Sequence, residues 1–227
     1  MNERGFNLRI IMNNLQIYYI INRRLLNNIS LLNYKKIKNI VKILYLYFKK
    51  NISLILIKKN YIYLNLNNNN FLNIFFCLKN LINLKFTQLL DIIVIDRLEI
   101  KLNNNKRFNY IYVLLSTLYN VRIFISGFIN LFETLYSLMK IFNSADWLER
   151  EVWDMFGIFF NNHTNLKRIL TDYGFIGFPL RKDFPLSGYI EVRYDEVMKS
   201  IILEPLELSQ EFRFFKLELP WKNNYVY

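Results

Sequence analysis

Residues 33–66 read N-Y-K-K-I-K-N-I-V-K-I-L-Y-L-Y-F-K-K-N-I-S-L-I-L-I-K-K-N-Y-I-Y-L-N-L, and two periodicities meet inside them. Ile37, Ile40, Val41, Leu44 and Phe48 recur at three- and four-residue steps, so residues 33–50 are expected to form a helix with these side chains inward. Lys35, Lys36, Lys38, Lys42 and Lys49 fall between them and give that helix a basic outer face. The runs Ile52–Ile57 and Tyr61–Leu66 follow, separated only by Lys58-Lys59-Asn60, a connection of hairpin length. Helix and hairpin side by side point to α+β.

Working outward, Asn67–Asn70 is a polar break and Phe71–Leu84 has the look of a second, mostly buried helix. Ile92–Ile95, Phe108–Leu115 and Val121–Ser126 are further strand candidates, the last two joined near Asn120. The expected fold is α+β: a mixed or antiparallel sheet with helices packed on it. All four prolines (Pro179, Pro185, Pro205, Pro220) and three of the six glycines (Gly174, Gly177, Gly188) lie beyond residue 170. The chain should therefore finish in an extended, proline-containing C-terminal arm. The expected organisation is a basic N-terminal extension over 1–32, an α+β domain over 33–160 and the arm over 161–227.

With 227 residues, 53% of them hydrophobic and 17% aromatic, the chain can bury a substantial core. A single Cys (Cys77) and a single His (His163) leave too few ligands for a Cys/His zinc site or a cluster held by the chain's own cysteines, and they exclude a disulfide scaffold. A membrane-spanning helix needs roughly 20 apolar residues in a row. The best stretch, Tyr110 to Ile125, is broken by Asn120 and Arg122, and the start shows no signal-peptide pattern. Asn, Ile, Lys, Tyr and Phe dominate while Ala occurs once, a bias that fits an AT-rich coding source such as an organelle. The net charge of +12 is lopsided, with 14 Lys/Arg against one acid in residues 1–90 and 16 against 17 in residues 91–227. A basic part of this kind suits either a solvated lysine face or an acidic partner.

Three blocks carry the polar chemistry. The first is S-A-D-W-L-E-R-E-V-W-D-M-F-G, residues 144–157, in which Ser144 is a candidate helix N-cap and Gly157 a stop signal. Arg150 stands four residues from both Asp146 and Asp154 and is expected to bridge them on one helical face. Glu149 and Glu151 flank it, and this carboxylate group is read as structural rather than as an acid–base pair. The second block holds His163, which lacks a nucleophile motif and is read as a hydrogen-bonded structural residue. The third, G-F-P-L-R-K-D-F-P-L-S-G-Y-I-E-V-R-Y-D-E over 177–196, sets Arg181-Lys182-Asp183 between two prolines and alternating apolar anchors. Such a strip can lie along another protein or fold back on its own domain. Neither a GxGxxG nor a P-loop pattern occurs.

Taken together, these blocks, with L-K-R-I-L-T-D-Y-G-F, E-P-L-E-L-S-Q-E-F-R and R-F-N-Y-I-Y-V-L-L-S, resemble the 30-kDa subunit family of respiratory complex I over about residues 86–221. The resemblance implies a non-catalytic core subunit of the peripheral, matrix-side arm of proton-translocating NADH:ubiquinone oxidoreductase at the mitochondrial inner membrane. It further implies packing against the 49-kDa subunit near the quinone-reducing end, with FMN, iron–sulfur clusters and ubiquinone carried by partner subunits. The family signature falls on Glu149, Arg150, Glu151, Asp154, Gly157, His163, Arg168, Leu170, Asp172, Arg181, Lys182, Asp183, Glu191, Arg193 and Tyr194. These are expected to be fold and interface determinants, with no catalytic, cofactor-binding or metal-binding residue among them. Thr164 stands where the family usually has Pro, which should loosen the turn after His163, and Phe178 replaces a frequent His, which removes one hydrogen bond. The basic N-terminal part is left to contact anionic lipid or an acidic neighbouring subunit. The rival reading is a basic organellar RNA-binding or ribosomal protein, drawn from the charge of residues 1–90.

Overall fold

A computed structural model describes residues 7–12, 15–20, 31–49, 51–58, 61–66, 71–98 and 106–215. The expected break at Asn67–Asn70 and the Lys59-Asn60 connection lie outside the described residues. The chain divides into two compact units, Met1–Phe184 and Pro185–Tyr227.

The first unit is built on a seven-stranded sheet in the order β1-β2-β3-β4-β7-β6-β5. Its strands are β1 (Asn7–Met12), β2 (Leu15–Ile20), β3 (Ile52–Lys58), β4 (Tyr61–Leu66), β5 (Gln88–Asp96), β6 (Phe108–Ser116) and β7 (Val121–Ile129). Pairings β2–β3 and β4–β7 are parallel and the others antiparallel, so the sheet is mixed. Helices α1 (Leu31–Phe48), α2 (Phe71–Asn80) and α3 (Ala145–Phe156) complete the unit, together with the short parallel pair β8 (Leu135–Tyr136) and β9 (Phe160–Asn161). This is the α+β architecture with a mixed sheet and packed helices that the periodicities indicate.

Register explains the core. Ile55, Leu64, Ile125, Tyr112 and Ile92 are successive cross-strand partners, so they share one face of the sheet, and all five are buried. Helix α1 adds Ile37, Ile40, Val41, Leu44 and Phe48 to the same core, the stripe that the three- and four-residue steps mark out. From α2, Phe71 and Phe75 meet Tyr112 edge-on at centroid distances of 5.4 and 5.1 Å. Burying each such side chain stabilises the fold by roughly 1.5–3 kcal/mol. A Cβ on Gly127 would overlap the Tyr110 ring, its direct cross-strand partner, so that sheet position needs a glycine.

Several element ends differ from the sequence expectation: α1 spans Leu31–Phe48 rather than 33–50, and β7 runs on to Ile129 rather than ending at Ser126. Helix α2 stops at Asn80 rather than Leu84, because Leu81 and Phe86 close a tight reversal on the carbonyls of Cys77 and Leu78 with Lys85 left-handed (φ 41°). That reversal lets strand β5 begin at Gln88, well before Ile92. Strands β1 and β2 fall within 1–32, where no regular structure was anticipated from the sequence.

Among the described residues, the second unit contains an antiparallel hairpin, β10 (Ile190–Asp195) with β11 (Ser200–Pro205). Arg193 and Glu204 pair across it at 2.6 Å, and Lys199 closes the turn with φ 50°.

Candidate partner interface at helix α3

Helix α3 ends where the sequence says it should. Gly157 adopts φ 72°, and its N–H donates to the Trp153 carbonyl at 2.9 Å, a left-handed cap that suits a residue without a Cβ. Its start is different. Ser144 is itself helical (φ −65°, ψ −19°) and caps nothing; its hydroxyl donates instead to the Leu89 carbonyl of β5 at 3.0 Å. The serine thus ties the helix to the sheet edge.

The strongest polar constellation lies at the other end. Asp154 is fully buried, and its Oδ2 accepts the backbone N–H groups of Ile169, Leu170 and Thr171 at 3.1, 2.7 and 3.0 Å. Its Oδ1 accepts the Thr171 hydroxyl at 2.7 Å and Arg168 at 3.3 Å. Burial pushes this carboxyl up, but the Thr171 hydroxyl and the converging N–H groups outweigh it and hold Asp154 below the ordinary carboxylate value. The arrangement fixes the segment after β9, a strap over residues 162–184 with little regular structure, to the helix. Arg168 extends the fixation through the Gly177 carbonyl at 2.9 Å.

Arg181 secures the same strap a second time. Its Nε donates to the Phe156 carbonyl at 2.6 Å, and the Leu180 N–H donates to Met155 at 3.2 Å. Both donors satisfy carbonyls at the C-terminus of α3 that have no intrahelical partner, where a cation is favoured by the helix dipole. The Arg181 guanidinium lies 4.2 Å from the Phe178 ring centroid, and Arg168 lies 4.9 Å from the same ring. Phe178, the departure from the family pattern, is therefore a stacking platform. A third tie runs from the sheet, where Arg107 holds Asp96 at 2.7 Å and Asp183 at 2.8 Å while the Lys182 N–H donates to Asp96 at 3.1 Å. The Arg107 hydrogen bond holds Asp183 below the usual carboxylate range. The Arg181–Asp183 triplet thus folds back on its own unit.

Near the start of α3 a second acid is buried among fewer donors. Glu149 accepts the Ser137 hydroxyl at 2.6 Å and the Leu138 N–H at 2.7 Å. Burial dominates, the two hydrogen bonds only partly oppose it, and the Asp146 charge adds to it, so the Glu149 carboxyl is pushed up to about 7. The buried His163 ring sits beside it. Its Nδ1 accepts the Asn165 N–H at 3.1 Å, which assigns the ring hydrogen to Nε2, facing the Asp146 carbonyl at 3.2 Å. Nε2 also lies 3.4 Å from the Asp146 carboxylate and 3.9 Å from Glu149. His163 thus closes the turn that Thr164 would otherwise leave loose.

The expected Arg150 bridge does not form. Arg150 donates to the Lys167 carbonyl at 3.3 Å and stacks 5.0 Å over Trp147, because Asp154 points inward and Asp146 turns to His163. Glu151, Leu170 and Asp172 are exposed, the last accepting the Tyr173 N–H at 2.8 Å. In the second unit, Glu191 is partly covered while Arg193 and Tyr194 are exposed. Asp96, Arg107, Ser137 and Thr171 were missed. Asp96 and Arg107, opposite charges at facing ends of two strands, were the legible pair among them. Among the described residues no group of three or more His, Cys, Asp or Glu side chains could hold a metal ion, and no helix is long and apolar enough to cross a membrane.

Fold and site together define an α+β domain whose third helix clamps an irregular strap, with apolar Leu170, Tyr173, Ile176 and Leu180 left on the strap's exposed side. Residues 64–190 match the family described as respiratory-chain NADH dehydrogenase, 30 Kd subunit, and the chain belongs to that family. It is 48% identical over 185 residues to NADH-ubiquinone oxidoreductase subunit 9 of Acanthamoeba castellanii, covering 80% of this chain and 92% of that protein. It is 51% identical over 138 residues to NADH dehydrogenase [ubiquinone] iron-sulfur protein 3 of Patellifolia webbiana, covering 61% of this chain and 70% of that one. In fold it is similar to a chain from the membrane-bound sulfane sulfur reductase, an archaeal respiratory membrane complex, with a TM-score of 0.52 at 20% identity over 66% of this chain and 86% of that chain.

Proposed function

We propose that this chain is a non-catalytic core subunit of the peripheral, matrix-side arm of proton-translocating NADH:ubiquinone oxidoreductase, encoded in the mitochondrion. Its strap docks on the 49-kDa subunit near the quinone-reducing end and supports electron transfer from NADH to ubiquinone by holding that subunit in place. FMN, the iron–sulfur clusters and ubiquinone reside in partner subunits.

The observation that carries this reading is the exposure of Leu170, Tyr173, Ile176 and Leu180 on a strap that Asp154 and Arg181 hold in place; Tyr173 is fully exposed at 102%. A segment ordered before it binds loses less entropy on docking, and exposed apolar side chains held on such a segment are what an interface core buries. Family membership supports the assembly in which it docks. The test is a photo-crosslinking residue at Tyr173, followed by blue-native electrophoresis with in-gel NADH dehydrogenase staining. The expected adduct joins this chain to the 49-kDa subunit within the stained band. A band containing the chain but no such adduct would refute the docking, and a chain running with ribosomal particles would refute the whole reading.

A further inference from the structure

A cleft of about 490 Å³ lies between the outer face of α1 and two turns of the same unit, with Lys36, Lys42, Ile43 and Leu46 on the helix side and Asn83 and Tyr119 opposite. The turns belong to the α2–β5 and β6–β7 connections, and the Tyr119 hydroxyl donates to the Ile82 carbonyl at 3.4 Å, linking them. Leu46, which lines the cleft, is exposed at 68%, and Ile82 and Leu118, the chain neighbours of Asn83 and Tyr119, are exposed at 74% and 62%. The cationic groups have no counterpart, since neither Lys36 nor Lys42 pairs with a carboxylate among the described residues. Residues 1–90 contain a single acid, Glu3, so local sequence supplies almost none.

We infer that this cleft receives an acidic amphipathic helix from a neighbouring protein subunit. The inference rests on the reading of the chain as a complex I subunit and adds a second docking face, distinct from the strap. Apolar side chains of the incoming helix cover Ile43, Leu46, Ile82 and Leu118, while its Asp or Glu residues meet Lys36 and Lys42. Residues 36 to 46 of α1 extend about 15 Å, which an opposed helix of about ten residues matches at 1.5 Å per residue. Concavity decides between partners of the same charge. The two turns wall the cleft, so a flat anionic bilayer would reach its rim lysines but leave its apolar floor uncovered, whereas the apolar face of a helix can enter it.

The test is made on the intact NADH-oxidising complex with a zero-length carbodiimide, which joins an amine only to a carboxylate in contact with it. The expected result is Lys36 and Lys42 linked to Asp or Glu residues spaced three, four or seven apart in one other chain. Lys36 and Lys42 are exposed, so a K36E/K42E double variant leaves the core intact; it should stay in the stained band while recovery of that other chain falls about tenfold or more, as like charges now face each other. Links confined to this chain's own acids, or unlinked lysines that acetylate as fast as in the isolated chain, would overturn the inference. So would labelling of both lysines by a photoactivatable anionic phospholipid in place of any protein carboxylate. In each of these cases the chain is still in the band and the subunit reading stands; absence of the chain from the band overturns both.

Discussion

Helix α3 buries two carboxylates, Glu149 towards its start and Asp154 towards its end, both with no exposed surface. The protein treats them oppositely. Asp154 sits among three backbone N–H groups, a hydroxyl and a guanidinium and is held below its ordinary value. Glu149 has one hydroxyl, one N–H and a like charge nearby, and is pushed up to about 7. Burial alone therefore does not decide the charge of a group; the number of donors that burial brings with it does. The difference separates two jobs. The charged end organises the strap to which we assign docking, while the other end joins α3 to residues 137–138, where a proton can replace a charge.

The largest effect is expected where most donors converge. Asp154→Ala leaves the N–H groups of residues 169–171 and the Arg168 charge without their acceptor and should cost about 3–5 kcal/mol in urea unfolding of the purified chain. A cost near that of a surface substitution would break the comparison. Gly157→Ala comes next, since φ 72° strains any side chain and the new Cβ would meet Arg181 and Phe178. We expect about 2–3 kcal/mol, read from the same unfolding curves.

Glu149→Gln sharpens the contrast in the opposite direction. The folded Glu149 keeps its proton to about pH 7, against 4.5 as its ordinary value, so between these limits the native state binds more protons than the unfolded chain. Its contribution is therefore complete below pH 4.5 and is lost as pH rises through about 7. Gln removes that loss, so the variant should exceed the wild type by about 3 kcal/mol at pH 8 and match it near pH 4. Asp154 has the reverse sign, its contribution being present above 3.8 and lost only as pH falls below it. A pH–stability curve of the variant parallel to that of the wild type would remove the Glu149 half of the account. The smallest effect belongs to Arg150→Ala, which gives up one carbonyl contact and an exposed stack on Trp147 and should cost less than about 1 kcal/mol.

The periodic parts of the fold were legible in the sequence for a simple reason. In α1, β3, β4, β6 and β7 the pattern of apolar residues is itself the cause of burial, so spacing and structure coincide. Gly157 was legible because a left-handed residue after a helix leaves few choices. The Arg150 bridge failed because a four-residue spacing knows only the helix's own surface, whereas Asp154 is claimed by residues 14 to 17 positions downstream. Glu149 had no local signal at all, since its partners Ser137 and Leu138 come from a preceding turn with no pattern of its own. Strands β1 and β2 did leave a trace: two apolar runs flank Asn13-Asn14, a turn-type pair. Sequence spacing left the Arg181–Asp183 triplet open between partner and self; Arg107 and the end of α3 give it bonds within its own unit, while Asp183 stays half-exposed.

The central claim is that Asp154, and not Arg150, holds the strap ready for its partner. Incorporation of the Asp154→Ala and Arg150→Ala chains into the NADH-oxidising band on blue-native gels tests it most directly. The account predicts that the Arg150 variant enters the band like the wild type while the Asp154 variant is largely missing from it. Equal incorporation of the two, or loss of the Arg150 variant alone, would contradict it.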